Sequence, residues 1–455
     1  MISFENINKP DWKYDLLYTY VSPVFRHIYY KKFYALNTER IPKDEPVVAI
    51  CNHQNGLTDA LGILFTFSKD KRDPVFIARS DIFKRELAAK LLRFLRIMPA
   101  FRVRDGGKEK LEENQAIFDK SASILLEKGV VCLFPEAGHE DGYRLGTFKK
   151  GFARIAFRAA EMSDFKQDIK IVPFAHHYSS YFGVQHKLMI QTGEPFGISD
   201  LYELYKEKPK RAEKILADRS RVIVESMMLN IKDRELYDEY NTLRTIYCEN
   251  YLKKHNLKSS YFPNNLKANR ETVAAIDKLR ETNPEKFSEL MQQAYTYCRN
   301  LEKLHLKDWI FRKKLSVWGF WLRTLLAIVL IPFIIVSFLI NVIPFNASTL
   351  ITRNIKDVML HSSFHLVIGT LFAYPIWFLI GFITIWATTG IWWLALSFLF
   401  ILPLSLIVYL RSKILWKKLY NRVRRFRFWF RGNPFFKESV ELRKKIVATL
   451  DTIVD

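Results

Sequence analysis

The stretch VVAICNHQNGLTDALGIL, residues 47–64, places a histidine and an aspartate between two apolar segments. Its first five residues are a β-rich run that predicts a buried strand. Thr58 is a candidate N-cap for the helix that follows, so His53 is expected at the carboxyl end of the strand. His53 and Asp59 are six residues apart, not the three or four that place side chains on one helix face. The two side chains can therefore meet only if the loop between them turns.

Asn55 and Gly56 supply a sequence suited to that turn. With Asp59 under the imidazole, the carboxylate would fix the tautomer of His53 and leave the other ring nitrogen able to take a proton. Ligands of open α/β sheets bind at the carboxyl ends of strands. The pattern predicts a general-base dyad without a nucleophilic serine. The alternative is a loop histidine that caps a helix, the usual interpretation of a histidine that stands alone.

Other polar residues follow strand-like runs in the same part of the chain. Their combination of carboxylate, histidine and arginine suits acid–base chemistry on a phosphorylated substrate. No H-E-x-x-H motif or cysteine pairing accompanies the histidines, so we predict no metal site. The residues are Glu136, His139 and Asp141 after GVVCLF, His176 and His177 after IKIVPF, and Arg102 and Arg104 after LRIMPAF.

The first 200 residues alternate β-rich and helical segments, which predicts an α/β sandwich around a mixed central sheet. We expect this catalytic domain at residues 35–200 and a charged helical region at residues 201–315, with Asn283-Pro284 starting its last helix. The predicted strands are VVAIC, PVFIA, GVVCLF, IKIVPF and KLMIQTGEPF. The predicted helices are LTDALGILFTF, SDIFKRELAAKLLRFL, KLEENQAIFDKSASILLEK and FKKGFARIAFRAAE.

The composition indicates a membrane protein. The 455 residues carry a formal net charge of +23, and 49% of them are hydrophobic. So basic a chain suits nucleic acid or an anionic membrane surface. Residues 364–410 contain no Asp, Glu, Lys or Arg, and a helix needs about 20 apolar residues to cross a bilayer. Within residues 316–410 we predict transmembrane segments at about 317–345, 364–387 and 390–410.

A basic segment follows the last apolar one. Residues 411–431 contain nine Lys or Arg, no acid and several aromatic residues, which suits a cytoplasmic tail (411–455) on anionic lipid headgroups. Its position directly after a span favours lipid, so no nucleic-acid partner is predicted. A plain topology signal is the alternative. Basic residues also flank the first apolar segment on both sides. Three full crossings cannot place all of these basic flanks on the cytoplasmic side. Pro332 would allow that segment to be kinked, re-entrant or interfacial.

The N-terminal residues 1–34 lack the apolar core of a signal peptide. Their aromatic residues are mixed with Arg26, Lys31 and Lys32, which is typical of an interfacial membrane anchor. An aromatic helix packed on the catalytic domain explains the pattern equally well. The four cysteines have no paired spacing and are most simply core residues in a reducing compartment: Cys51, Cys132, Cys248 and Cys298.

Four ordered blocks resemble the glycerolipid acyltransferases, the family that includes lysophosphatidate and glycerol-3-phosphate acyltransferases. Asn52, His53 and Asp59 look like the N-H-x-x-x-x-D block of that family, with five residues rather than four between His53 and Asp59. Three other segments within roughly residues 35–200 resemble further blocks of the family. Met98-Pro99-Ala100-Phe101-Arg102 resembles the second block, Phe134-Pro135-Glu136 resembles the F-P-E-G block, and Val172-Pro173 resembles the fourth.

The likeness is strongest to the branch that acylates glycerol-3-phosphate or dihydroxyacetone phosphate. The F-P-E-G-G-S-H-D of that branch is similar to FPEAGHED in this chain, and its members also have apolar C-terminal segments. This chain departs from it at residues 137, 139 and 140. Ala137 replaces the glycine after Glu136, and His139 stands where the branch has serine, so the resemblance leaves the identity of the acyl acceptor open.

The resemblance implies direct acyl transfer. His53 would deprotonate the acceptor hydroxyl as it attacks the carbonyl of acyl-CoA or acyl carrier protein, and Asp59 would orient the imidazole. These thioesters are co-substrates, and no further cofactor is implied. The implied acceptor-phosphate site comprises Arg102, Glu136, Gly138, Arg79, Lys149 and Lys150. For Arg79, Lys149 and Lys150, an ordinary surface charge is the alternative to a role at the acceptor.

The resemblance thus implies a membrane-bound O-acyltransferase of phospholipid biosynthesis, with its catalytic domain on the cytoplasmic face. Its partners would be an acyl thioester, glycerol-3-phosphate or lysophosphatidate, and anionic membrane lipids. The alternative is a catalytically weak lipid-binding or scaffold protein on the same fold, against which the intact His53 and Asp59 argue. An amidohydrolase-like enzyme would need a bound metal. A transporter is disfavoured because the apolar part is small and without buried charges.

Overall fold

The computed structural model describes residues 4–67, 72–101, 107–136, 142–181, 183–312, 317–353 and 358–454. The chain divides into two compact units. The first comprises Met1–Met228 together with Ile355–Leu366, and the second comprises Leu229–Asn354 together with Val367–Asp455. A short segment from far along the sequence therefore belongs to the N-terminal unit.

The first unit is built on a seven-stranded sheet in the order β1-β7-β6-β2-β5-β3-β4. Only β6 and β7 pair antiparallel; the other neighbours run parallel, which confirms the predicted α/β class with a mixed sheet. The strands are β1 (Tyr30–Leu36), β2 (Val47–Cys51), β3 (Val75–Arg79), β4 (Ile97–Ala100), β5 (Val130–Leu133), β6 (Lys170–Tyr178) and β7 (His186–Thr192).

The strand register brings three carboxyl ends to one edge of the sheet. Val47 of β2 lies opposite Val130 of β5 and Lys170 of β6, and all three strands are parallel. Residues that follow β2 and β5 therefore emerge side by side. This is the edge at which His53 and Glu136 were expected to meet.

Helices cover both faces of this sheet. Alternate side chains of β2 enter different cores: Val48 and Ile50 pack in one, and Val47 and Cys51 in the other. The first core includes residues of α4, α5 and α7, while the second includes residues of α1 and α2. The helices are α1 (Trp12–Pro23), α2 (Leu57–Thr66), α3 (Glu86–Phe94), α4 (Gly107–Leu126), α5 (Gly151–Met162), α6 (Tyr202–Glu207) and α7 (Pro209–Met227).

The domain boundaries differ from those expected from the sequence. The boundary between an anchor and a catalytic domain at residue 34 falls inside β1, because the alternating residues of Tyr30–Leu36 pair with β7 as an edge strand. At the other end the unit extends past residue 200 to Met228, since Leu216 and Val224 of α7 pack in its core.

Two helix starts also differ. Thr58 is not the N-cap of α2: Gly56 occupies that position, and the Thr58 hydroxyl donates to the Asn55 carbonyl at 2.6 Å. The helix predicted from Ser80 begins only at Glu86, after a 3₁₀ turn at Ser80–Phe83. Both departures reflect local side-chain and turn geometry that periodicity does not report.

The second unit is helical throughout its regular elements. Asn283 caps α10 as predicted, its side chain accepting from the Lys286 N–H at 3.0 Å, with Pro284 in the first turn. The helices are α8 (Tyr237–Lys254), α9 (Phe262–Thr282), α10 (Pro284–Leu304), α11 (Val317–Val329), α12 (Ile331–Thr352), α14 (Tyr374–Thr389), α15 (Trp392–Phe430) and α16 (Pro434–Ile453). Between α12 and α14, α13 (Val358–Ile368) begins in the first unit.

Three helical stretches among the described residues are long and apolar enough to cross a membrane: Ile331–Ile351, His361–Thr389 and Trp392–Phe430. The first predicted segment, 317–345, is instead divided between α11 and α12 at Leu330. With 13 residues α11 is only about 20 Å long, too short to span a bilayer. Pro332 sits in the first turn of α12, where its missing N–H costs nothing.

The basic segment is a continuation of the last apolar helix. Residues 411–430 form the second half of α15, which is 39 residues long, and α16 follows after a turn at Gly432. The tail predicted at residues 411–455 is therefore two helices. The break predicted near residue 390 is present, with Gly390 in the left-handed region at φ +70°.

Candidate active site

The loop between β2 and α2 is folded by Gly56. Its backbone has φ +51° and ψ −129°, a conformation that side chains strongly disfavour, and the chain reverses there before α2 begins. The Thr58 N–H donates to the Asn55 carbonyl at 3.1 Å and closes the turn. The first turn of α2 then carries Asp59 back toward the end of β2.

Asp59 and His53 are in contact. The His53 Nδ1 lies 2.9 Å from Asp59 Oδ2, and the Asp59 side chain is fully buried. Two backbone N–H groups also donate to Oδ2, from Gln54 at 2.7 Å and from Asn55 at 2.8 Å. The other oxygen, Oδ1, accepts from the hydroxyl of Tyr178. Four donors therefore surround one buried carboxylate.

These contacts keep Asp59 ionised. Burial by itself raises the pKa of a carboxyl, but here it is outweighed by the neighbouring His176, by the hydrogen bond and charge of His53 and by the Tyr178 hydroxyl, so the pKa of Asp59 lies well below its usual range. Since a carboxylate only accepts, His53 Nδ1 must carry the proton in this contact. Nε2 of a neutral ring is then the basic nitrogen.

The imidazole of His53 is held on its face as well as its edge. Its ring stacks on Phe134, the first residue after β5, with centroids 4.3 Å apart. Its side chain retains 19% of its exposure, in contrast to the fully buried Asp59. The base is thus partly accessible while its supporting carboxylate is sealed from solvent.

Glu136 fixes the backbone of the same loop. Its Oε1 accepts from the His53 N–H and its Oε2 from the Gly146 N–H, both at 2.7 Å. Burial raises the pKa of Glu136 to about 7, against the opposing effect of these two N–H groups. Both carboxylate oxygens are therefore committed to the protein, which differs from the predicted role of Glu136 at an acceptor phosphate.

Strand β6 contributes residues that the sequence analysis left without a role. Asn52 bonds both ways with the backbone of His176, its Oδ1 accepting at 2.7 Å and its Nδ2 donating at 3.2 Å. The His176 Nε2 lies 3.0 Å from the Asp59 carbonyl, and burial lowers the pKa of this ring. His176 and Tyr178 alternate along the strand and so share a face. That alternation was the signal in the sequence.

Helix α13 supplies a second unexpected contact. Ser363 Oγ accepts from the Leu57 N–H at 2.9 Å, at the start of α2, and lies 3.3 Å from the Asn55 carbonyl to which it can donate. Its neighbour Ser362 accepts from the Tyr29 hydroxyl through its carbonyl, at 2.9 Å. No local pattern connects Ser363 to a loop 306 positions earlier.

The remaining predicted residues are distributed differently. Arg79 pairs with Asp81 on the surface, and Lys150 Nζ donates to the Lys210 carbonyl at 2.8 Å, so both cations have protein partners. The Lys149 side chain is exposed and its N–H donates to the Pro135 carbonyl. The other predicted residues lie outside the described part of the chain: Arg102, Arg104, Gly138, His139 and Asp141.

The described residues contain no group of three or more histidine, cysteine or acidic side chains placed to hold a metal ion. The four cysteines are free thiols, as expected. A cavity lined by Arg72, Asp73 and Arg96 lies beside the amino ends of β3 and β5, opposite the edge that carries His53.

Comparison with known proteins identifies this part of the chain. A family model described as Acyltransferase matches residues 32–177. Glycerol-3-phosphate O-acyltransferase 2 of Saccharomyces cerevisiae is 26% identical over 201 residues, 44% of this chain and 25% of that protein. A probable 1-acyl-sn-glycerol-3-phosphate acyltransferase of Mycoplasma pneumoniae is 24% identical over 152 residues, 33% of this chain and 53% of that protein.

A crystal structure of the 1-acyl-sn-glycerophosphate acyltransferase PlsC from Thermotoga maritima aligns with 49% of this chain and 82% of its own, at 17% identity and a TM-score of 0.32. The chain spans about a quarter of the length of the Saccharomyces cerevisiae relative and about half of the length of the Mycoplasma pneumoniae relative. Residues 32–177 thus match an acyltransferase domain, and the two curated relatives similar to this chain are named as glycerolipid acyltransferases.

We expect Ser363→Ala to loosen the loop that carries the dyad. The substitution leaves the partly buried Leu57 N–H without an acceptor, which costs about 1–3 kcal/mol, so its hydrogen exchange should accelerate on the order of tenfold. Hydrogen–deuterium exchange of the peptide covering residues 53–60 measures this. Ser397→Ala is the control, since that hydroxyl bonds only to the Leu394 carbonyl of its own helix. Unchanged exchange in Ser363→Ala would refute the contact.

We expect Glu136 to make the free energy of unfolding decrease as the pH rises. Folding raises its pKa from an ordinary value of 4.5 to about 7, so between these values the folded state holds a proton that the unfolded chain has lost. The stabilising contribution is complete below about pH 4.5 and is lost as the pH rises through about 7. The thermal midpoint of the solubilised protein should fall over that window, and less so in Glu136→Gln. Equal slopes in both proteins would contradict the assignment.

Proposed function

We propose that the protein is a membrane-bound O-acyltransferase that moves a fatty acyl group from a thioester to a hydroxyl of a phosphorylated glycerol. The observation that carries this proposal is the contact between His53 Nδ1 and the buried Asp59 carboxylate, within a domain of the glycerolipid acyltransferase family. Acyl-CoA and acyl carrier protein are both suitable donors. Glycerol-3-phosphate and lysophosphatidate are the proposed acceptors, in keeping with the names of the two curated relatives.

The chemical step follows from the protonation of the dyad. With its proton on Nδ1, the His53 ring accepts the hydroxyl proton of the acceptor at Nε2 while the oxygen attacks the thioester carbonyl. The C–S bond of the resulting tetrahedral species breaks, and the imidazolium returns its proton to the leaving thiolate. The products are an ester and a free thiol. No acyl-enzyme is formed, because the site offers a base rather than a nucleophile.

Asp59 stabilises the imidazolium that forms during this step. Its charge is fixed 2.9 Å from Nδ1 and is not dispersed by water, because the carboxylate is fully buried. Gln54 and Asn55 donate to it from the backbone, so the carboxylate cannot rotate without losing those bonds. The base is therefore aligned before substrate binds, which lowers the cost of reaching the transition state.

The acceptor phosphate is proposed to bind beside the dyad. From the resemblance, Arg102 and Gly138 are the residues assigned to it, and a guanidinium can hold a phosphate through two parallel hydrogen bonds. Lys149 is the exposed cation of the original set. Arg79 and Lys150 are not included, because each already has a protein partner. Glu136 contributes indirectly, by holding the His53 backbone.

A membrane location suits the lipid product and the acyl donor, which partition out of water. The three long apolar helices support it, and the basic second half of α15 is proposed to contact anionic lipid headgroups. Placement of the catalytic domain on the cytoplasmic face remains a proposal. The competing function is a lipid-binding scaffold on the same fold, in which the dyad would have no effect on turnover.

The decisive experiment is an assay of the purified full chain with a labelled acyl thioester and three acceptors: glycerol-3-phosphate, dihydroxyacetone phosphate and lysophosphatidate. We expect His53→Ala to lose roughly 10²–10⁴-fold in rate, because it removes the general base. Asp59→Asn should also fall substantially. His27→Ala, at an exposed histidine outside the site, is the matched control. Absence of product with every acceptor would favour the scaffold, whereas full activity in His53→Ala would remove His53 as the general base.

A further inference from the structure

Large apolar side chains are exposed mainly on one side of the first unit. Among the described residues up to 228, every exposed large apolar side chain on that side lies on α1, on α3 or in the 3₁₀ turn before α3. The other helical layer exposes only two among the described residues up to 228, Met162 of α5 and Val222 of α7. The first group is Trp12 (70% exposed), Leu16 (64%), Tyr20 (43%), Ile82 (46%), Leu87 (82%) and Leu91 (47%).

The outward faces of the two helices follow from helical geometry. In α1, Trp12, Leu16 and Tyr20 are spaced by four and lie on one face, opposite the buried Tyr14. In α3, Leu87 and Leu91 are likewise four apart, and Ala89 between them is buried. Apolar residues on a solvent-facing stripe of each helix are unexpected for a surface that faces water.

Helices α1 and α3 are neighbours over the same face of the sheet. The rings of Tyr14 and Phe94 are 6.2 Å apart, edge to face, and the Arg96 guanidinium lies 4.3 Å from the centre of the Tyr14 ring. Both helices adjoin the core that contains Phe25, Phe76 and Ile97. Their exposed apolar stripes therefore form one surface, which we call the α1–α3 surface.

The start of an apolar span is attached to this same layer. The stretch His361–Thr389 is long and apolar enough to cross a membrane, and its residues up to Leu366 belong to the first unit. Leu366 is 2% exposed and packs in the core beneath α1 and α2. The adjacent Phe364 is 40% exposed. This point of attachment lies in the same layer of the first unit as α1 and α3.

The charge near the surface matches an anionic bilayer. Residues 79–93 contain five Lys or Arg and two acids. The two acids are paired, Asp81 with Arg79 and Glu86 with Lys90, which leaves an excess of cations around Leu87 and Leu91. Basic residues beside exposed Leu and Trp are the composition of helices that lie in the headgroup region.

We propose that the α1–α3 surface rests in the interface of an anionic bilayer, with Leu87 and Leu91 of α3 and Trp12 and Leu16 of α1 entering the acyl boundary. The N-terminal segment was expected to touch membrane on its own; the structure adds α3 and assigns a defined side of the sheet. This orientation holds the first unit against the bilayer on the α1–α3 side of its sheet. It does not depend on the reaction that the site performs.

Site-directed fluorescence on the full chain in vesicles tests this proposal. The environment-sensitive label is attached to single cysteines at Leu87→Cys, Leu91→Cys and Leu16→Cys, in a Cys298→Ser background because the other three native thiols are buried. Val222→Cys is the matched control, being an apolar residue 62% exposed on the opposite layer. Vesicles of phosphatidylcholine with phosphatidylglycerol carry a spin-labelled acyl chain as quencher, and iodide is the aqueous quencher.

At positions 87, 91 and 16 we expect the lipid quencher to reduce the fluorescence roughly twofold and iodide to have little effect, as for side chains at the headgroup–acyl boundary. Position 222 should show the reverse. Replacing phosphatidylglycerol by phosphatidylcholine should weaken the lipid quenching. Iodide quenching at all four positions would overturn the proposal, and so would lipid quenching confined to position 16 or equal at position 222.

Discussion

The structure around the site depends on one buried carboxylate. Asp59 is fully buried, and its stability there requires the donors that surround it: the His53 ring, two backbone N–H groups and the Tyr178 hydroxyl. A buried charge without such partners would cost several kcal/mol. The sharp turn at Gly56 brings Asp59 to those N–H groups. The fold of the loop and the ionisation of Asp59 therefore depend on each other.

The loop is supported from distant parts of the chain. Glu136 holds the His53 N–H from the end of β5, and Asn52 ties the loop to β6. Ser363 reaches the start of α2 from the segment in which an apolar span begins. The backbone of the loop is thus fixed by contacts from three separate segments.

Much of the domain could be predicted from the sequence because its signals are local. The β-rich run at residues 47–51 and the Asn55-Gly56 turn were sufficient to predict that His53 and Asp59 meet. Strand β1 was missed because its aromatic and basic residues also suit a membrane anchor, and only pairing with β7 distinguishes the two. Edge strands are defined by their partners more than by their own composition.

The partners of individual side chains could not be predicted. Glu136 was expected at a substrate phosphate, but the adjacent N–H groups of His53 and Gly146 occupy both of its oxygens. Lys150 likewise bonds to a carbonyl of α7. Such contacts join residues far apart in sequence and have no periodic signature. The residues of the N-H…D block therefore predicted the contact between His53 and Asp59, while the acceptor site stays a prediction.

The tautomer of His53 is the most direct test of this arrangement. In protein labelled with ¹⁵N at histidine, the His53 signals can be assigned by their loss in His53→Gln and read in the neutral ring. Because Asp59 only accepts, Nδ1 must be protonated and Nε2 unprotonated, and Asp59→Asn should disturb that preference. A neutral ring protonated at Nε2, or a tautomer indifferent to Asp59→Asn, would contradict the role of the carboxylate.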